Sequence, residues 1–163
     1  MRNLVQIYEE GKLIYEGYNM VVLHGRRFTQ HVVTNHGTYR TWKFGFFGIG
    51  SGGVDPSNDL IPIAPQESDT DLYSPIVLDA NYPDGGRKKA ITSVTHITDL
   101  QSVIALDIST TDGPPLFKYS EAGLFVTNSL SNPTSFQLFA RITFPSITKD
   151  TSRSQKIFWH LFF

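Results

Sequence analysis

Cysteine is absent from this chain of 163 residues, which excludes disulfides and thiolate metal sites. Charge is scarce as well. Charged residues make up 18%, with a net charge of -1, against about 25% in an ordinary globular chain. There is no basic excess to hold a nucleic acid and no acidic excess to mimic one. Long apolar runs are missing too, since a membrane helix needs roughly 18 such residues. The start, Met1-Arg2-Asn3 followed by Leu4-Val5-Gln6-Ile7-Tyr8 and Glu9-Glu10, has no apolar core of a leader peptide. The expectation is a soluble protein made in a cytoplasm, with neither nucleic acid nor membrane as partner.

What is present is apolar and aromatic. Apolar residues reach 40% and aromatics 13%, enough for one domain, 1–163, with a real core. So few charges suit a protein that buries part of its surface in an assembly. The end of the chain carries the same message. It stops on Ile157-Phe158-Trp159-His160-Leu161-Phe162-Phe163, where a frayed and polar terminus is the norm. Those residues are expected in a sheet core or against a neighbouring subunit.

Short strands dominate the pattern. Leu4–Tyr8 and Leu13–Tyr15 flank the turn Glu9-Glu10-Gly11 as a hairpin. A single helix is expected over 19–35, with Asn19 as its cap and Asn35-His36-Gly37 as its stop. Strands follow over 39–49, at Ile76-Val77-Leu78, and over 91–97, 103–108, 117–127, 136–144 and 155–163. Residues 136–144 alternate with period two, the mark of one buried face. The last strand is apolar on both faces, as central strands are. The fold class expected is mainly β: an antiparallel β-sandwich or barrel of eight or nine short strands, with one helix near the N-terminus. Between Gly50 and Leu72 lies an irregular stretch rich in Gly, Pro and five carboxylates. Loops of that length are uncommon in compact domains, and this one reads as an arm reaching a neighbouring subunit.

No motif commits the chain to catalysis. Gly48-Ile49-Gly50-Ser51-Gly52-Gly53 fits G-x-G-x-x-G, but no amphipathic helix follows to face a pyrophosphate. The glycines are better read as a sharp turn off a sheet edge. His24 and His31 are seven apart, not the four that place two ligands on one helical face. The carboxylates of 55–71 lack a calcium-loop register, and G-x-S-x-G is missing. Catalytic residues, cofactors and metals are therefore assigned as none, and the chain is read as no enzyme. Two rivals stay open. A carbohydrate-binding module would expose Tyr39, Trp42 or Tyr82 on one flat face. A polysaccharide-cleaving enzyme would oppose two carboxylates roughly 5–9.5 Å apart across a groove.

An ordered set of short motifs adds a further reading. Gly48-Ile49-Gly50 leads to Asp55-Pro56 and Asp59-Leu60, and an acid-to-leucine step recurs from Glu67 to Leu72. Glu121-Ala122-Gly123-Leu124-Phe125 comes later, then Ala140-Arg141-Ile142-Thr143-Phe144-Pro145 running on to Lys149, and last Trp159-His160-Leu161-Phe162-Phe163. Over roughly 19–163 this order resembles small virion structural proteins of tailed bacteriophages. It is similar to the β-rich attachment domain of tail-collar fibre proteins. Fibre proteins continue into a shaft and this chain stops, so a receptor-binding tip is not implied. The resemblance implies a neck, collar, baseplate or fibre-attachment component located in the virion, or alternatively a capsid cement or decoration protein. Its partners would be other virion proteins, with self-association as a homo-oligomer, trimer or hexamer. The residues assigned to partner contacts are Asp55, Pro56, Asp59, Leu60, Pro62, Trp159, Leu161 and Phe163.

Overall fold

A computed structural model describes residues 3–162. The chain opens with β1 (Leu4–Glu9) and β2 (Lys12–Tyr18). They are joined through Glu10 and Gly11, both at positive φ, the geometry that suits a two-residue hairpin loop. β3 (Met20–Val21) pairs with Arg141 and Ala140, and this pairing postpones the helix. The helix α1 spans Leu23–Val33, so it follows three strands and does not open the fold. Asn19 does not cap it; its side chain accepts from the Asn3 amide instead. A 3₁₀ turn, Thr38–Thr41, leads into β4 (Lys43–Gly50). β5 (Val54–Asp55) and β6 (Asn58–Pro62) form a small hairpin. A single helical turn at Pro83–Gly86 precedes β7 (Lys89–Ala90). Then come β8 (Ser93–Thr98), β9 (Gln101–Ile108), β10 (Leu116–Thr127), β11 (Phe136–Asp150) and β12 (Gln155–Phe162).

The strands number twelve, more than the eight or nine expected. The surplus comes largely from β3, β5 and β7, two residues each, too short for a periodic signal. Residues 76–78 are not a strand. They run alongside β4, with the Ile76 amide on the Ile49 carbonyl at 2.9 Å. Ten of the twelve described strands form two five-stranded antiparallel sheets, in the orders β2-β1-β12-β9-β8 and β3-β11-β10-β4-β7, and β5-β6 is a separate pair. One core lies between them. Val5, Ile7, Ile104, Leu106, Ile157, Trp159 and Leu161 enter it from the first sheet. Phe47, Ile49, Tyr119, Ala122, Leu124, Ile142 and Phe144 enter from the second. The arrangement is sandwich-like.

β12 sits in the middle of its sheet, as its two-faced apolarity predicts. The period-two reading of β11 breaks at Phe139. Leu124 pairs with Ala140 while Phe125 pairs with Leu138, so Phe139 is the extra residue of a bulge. Phe139, Ala140 and Ile142 join the main core, while Leu138 turns to the opposite face. There it meets Val22, Phe46, Leu72 and Phe125 in a second, smaller core.

Candidate functional site

That second core lies under residues 51–88, which cross the outer face of the second sheet. Three glycines on this face, Gly48, Gly50 and Gly123, leave a hollow. A Cβ on Gly48 would stand 3.2 Å from Leu72 Cδ1, and one on Gly123 would stand 3.0 Å from Leu72 Cδ2. A Cβ on Gly50 would come within 2.6 Å of the Ser74 carbonyl. The G-x-G-x-x-G run thus serves close approach. Its glycines are not among those at positive φ, yet Ser51-Gly52-Gly53 form the turn that takes the chain off β4, as expected. The hollow is filled by the chain itself.

Ion pairs latch the crossing segment down. Glu121 on β10 is wholly buried. Its Oε2 accepts from Arg141 Nε at 2.9 Å and Nη2 at 2.6 Å. The Tyr73 amide reaches Oε2 as well, and the amides of Gly52 and Ser74 reach Oε1. Arg141 Nη1 then grips Asp69 at 2.6 Å. Burial works against the guanidinium charge, but the Asp69 hydrogen bond and the Glu121 carboxylate more than offset it. They hold Arg141 above its ordinary value. A second latch is Lys88, buried with its ammonium 2.9 Å from Asp71, 3.3 Å from Asp84 and 3.9 Å from the centre of the Phe125 ring. Third, Asp112 draws together Lys89 at 2.5 Å, the Ser109 amide at 2.6 Å and the Tyr82 hydroxyl at 3.1 Å. Burial and the Asp112 charge push Tyr82 up to about 12.

Above the first latch opens a cavity of about 770 Å³. Arg141 and Asp69 line its depth. Asp55, Asp59, Lys118 and Tyr73 stand around it. Its wall includes the β5–β6 hairpin, anchored by the Ile63 amide on the Gly53 carbonyl at 2.8 Å and by Thr143 Oγ1 on the Ile63 carbonyl at 2.8 Å. Residues 51–88 are thus held by hydrogen bonds and ion pairs to their own sheet. Glu67 ties the same stretch to α1: its carbonyl accepts from the Leu23 amide, and its carboxylate pairs with Arg26. The helix N-terminus thereby satisfies one of its orphan donors without a side-chain cap.

The residues assigned to partner contacts separate into three groups. Asp55, Pro56, Asp59, Leu60 and Pro62 come together on the hairpin. Asp55 holds the Ser57 amide and hydroxyl. Asp59 pairs with Lys118 at 2.7 Å. All five residues of β6 are exposed, with Leu60 at 68% and Ile61 at 52%. Trp159 and Leu161 point into the core between the sheets, because their register on β12 faces them inward with Ile157. They present no surface to a partner in this fold. Phe163 lies outside the described residues.

Glu121, Arg141, Asp69 and Lys88 were not singled out by the sequence reading. For Glu121 and Arg141 the signal was a lone charge inside an apolar strand, which must find a partner when buried; Asp69 and Lys88 lie outside the strands and carry no such signal. Three of the five histidines hold side-chain bonds: His31 Nδ1 accepts from the Tyr39 amide, His96 meets Ser102, and His160 meets Gln6 across the β1–β12 pairing. Among the described residues, no three His, Asp or Glu side chains gather as a metal would require. No helix among them is long and apolar enough to cross a membrane. Compared with family models, with curated proteins and with solved structures, the chain has no match.

Proposed function

We propose that this chain is a structural component of a tailed-phage virion, a neck, collar, baseplate or fibre-attachment protein that joins or stabilises its neighbours. The observation that carries the reading is the β5–β6 hairpin. Its base is tied to the sheet by hydrogen bonds at Gly53 and Ile63, while its second strand holds Leu60 and Ile61 out to solvent. A fixed mount with an exposed apolar strand loses little conformational entropy on docking and offers a partner two apolar anchors. The sandwich-like core, the low charge and the motif resemblance agree with that role. On this reading the chain is made in the host bacterial cytoplasm, ends in the virion and assembles as a trimer or hexamer. It works by surface shape, without a catalytic step. Cementing of a capsid surface is the alternative use of the same mount.

A carbohydrate-binding module is less favoured on one specific ground. Tyr39, Trp42 and Tyr82 pack against the core and do not form an open flat face. The test is immunogold labelling of purified particles of the phage that encodes the chain. Label at one fixed position on intact particles supports the reading. Purified particles that lack the chain would overturn it.

A further inference from the structure

The arm is one exposed apolar feature, and the free edge of the first sheet is another. That edge is β8, Ser93–Thr98, hydrogen-bonded to β9 on one side and at the end of the strand order on the other. All six of its residues are exposed. Natural edges are guarded by charge, by proline, by bulges or by being short. The other three edges follow that rule. β3 and β7 are two residues long, and β2 carries Lys12, Glu16 and Gly17. β8 reads Ser-Val-Thr-His-Ile-Thr: full length, no lysine, no carboxylate, no proline and no glycine, with three β-branched residues besides its threonine end. Its one irregularity lies between His96 and Thr98.

Register shows what is left uncovered. Val94 stands opposite Ile104 and His96 opposite Ser102, so both lie on the core-facing side of the sheet. Ile104 is buried, yet Val94 is exposed. The sheet therefore overhangs its partner layer by one strand. Ile97 and Leu100, at the hairpin end, are exposed as well.

We infer that β8 pairs antiparallel with β8 of a second copy of this chain, about a two-fold axis normal to the sheet. Charge selects this occupant. A strand without lysine, arginine or carboxylate meets its own copy without repulsion between such charges, and β8 meets that condition. Two-fold pairing that keeps both cores on one side requires opposed residues to share a face. Thr95 opposite Thr95 satisfies it and sets Val94 beside the partner's His96. The two five-stranded sheets become one continuous sheet of twice the width, and the open backbone edge of β8 is paired. Such a contact is isologous. It fits within a hexamer built from trimers related by two-folds, and it does not fit a plain three-fold ring.

The absence of cysteine makes the test direct. Thr95→Cys is oxidised and its disulfide-linked dimer measured against Leu13→Cys, placed on the exposed β2 edge. In parallel, size-exclusion chromatography with light scattering over a dilution series compares the natural chain with Val94→Lys. Circular dichroism checks that the variant folds. The expected result is a concentration-dependent dimer, a fast and near-complete disulfide at Thr95→Cys only, and a dimer dissociation constant raised about tenfold or more by Val94→Lys. A monomer at every concentration, or a Thr95→Cys link no faster than that of Leu13→Cys, overturns the inference. Variants at Leu60 leave this assembly unchanged, so failure here is distinct from failure of the arm as a docking mount.

Discussion

Arg141 meets Glu121 through two nitrogens on one carboxylate oxygen, at 2.9 and 2.6 Å, and leaves the other oxygen to the backbone of residues 52 and 74. One buried carboxylate therefore joins β10, β11 and two separated points of the crossing segment, Gly52 and Tyr73-Ser74. It is a structural joint, with every oxygen lone pair engaged by a donor that cannot easily be replaced.

Arg141→Met should destabilise the protein by about 3–5 kcal/mol, because it strands a buried carboxylate. Adding Glu121→Leu should not restore stability, since the amides of Gly52, Tyr73 and Ser74 would lose their acceptor. Denaturant unfolding of both variants checks this. A double variant as stable as the natural chain contradicts it.

Gly53→Ala places a methyl against the Ser120 carbonyl, backbone that cannot swing aside, and disturbs the Gly53 amide bond to Ser120 Oγ at 2.9 Å. A loss of about 2 kcal/mol or more is expected. Gly85→Ala meets open space but carries φ +63°, so about 1 kcal/mol is expected from backbone strain alone. Thermal melts should rank the two in that order.

His160 carries the pH dependence of the first sheet. Burial lowers its folded value below the ordinary one, against a weaker opposite pull from Glu16. The unfolded chain therefore takes up a proton at a higher pH than the folded one. Stability should be flat above roughly pH 7.5 and fall as pH drops through the unfolded histidine value of about 6.5. The neutral ring also bonds Gln6 at 3.0 Å. His160→Gln should flatten that slope in melts between pH 5 and 8 (roughly the histidine range); an unchanged slope counts against the assignment.

Much of the fold was legible because burial follows period. β11 and β12 showed their faces in the sequence, and the turn at Glu10-Gly11 marked the first hairpin. The helix start was not legible, because Val22 and Leu23 bond to Phe139 and Glu67, far along the chain. Gly25, which lowers helix propensity, is explained only by the approach of α1 to the Phe139 carbonyl. The hairpin at 54–62 was hidden for the same reason: its flanks are held by Ser120 and Thr143, in distant strands whose position needs the register. Removal of residues 52–68 would not spare the fold. That deletion takes away Gly53, the Glu67 carbonyl at the helix start and the Gly52 amide on Glu121, and it should destabilise the whole sheet.

Copy number of the chain in purified particles, comparing the natural protein with Leu60→Asp/Ile61→Asp, tests the docking mount most directly. Both side chains are exposed, so the melt should stay within about 0.5 kcal/mol of the natural chain. The mount predicts a folded variant that is lost from particles by tenfold or more. A folded variant present at the natural copy number would contradict it.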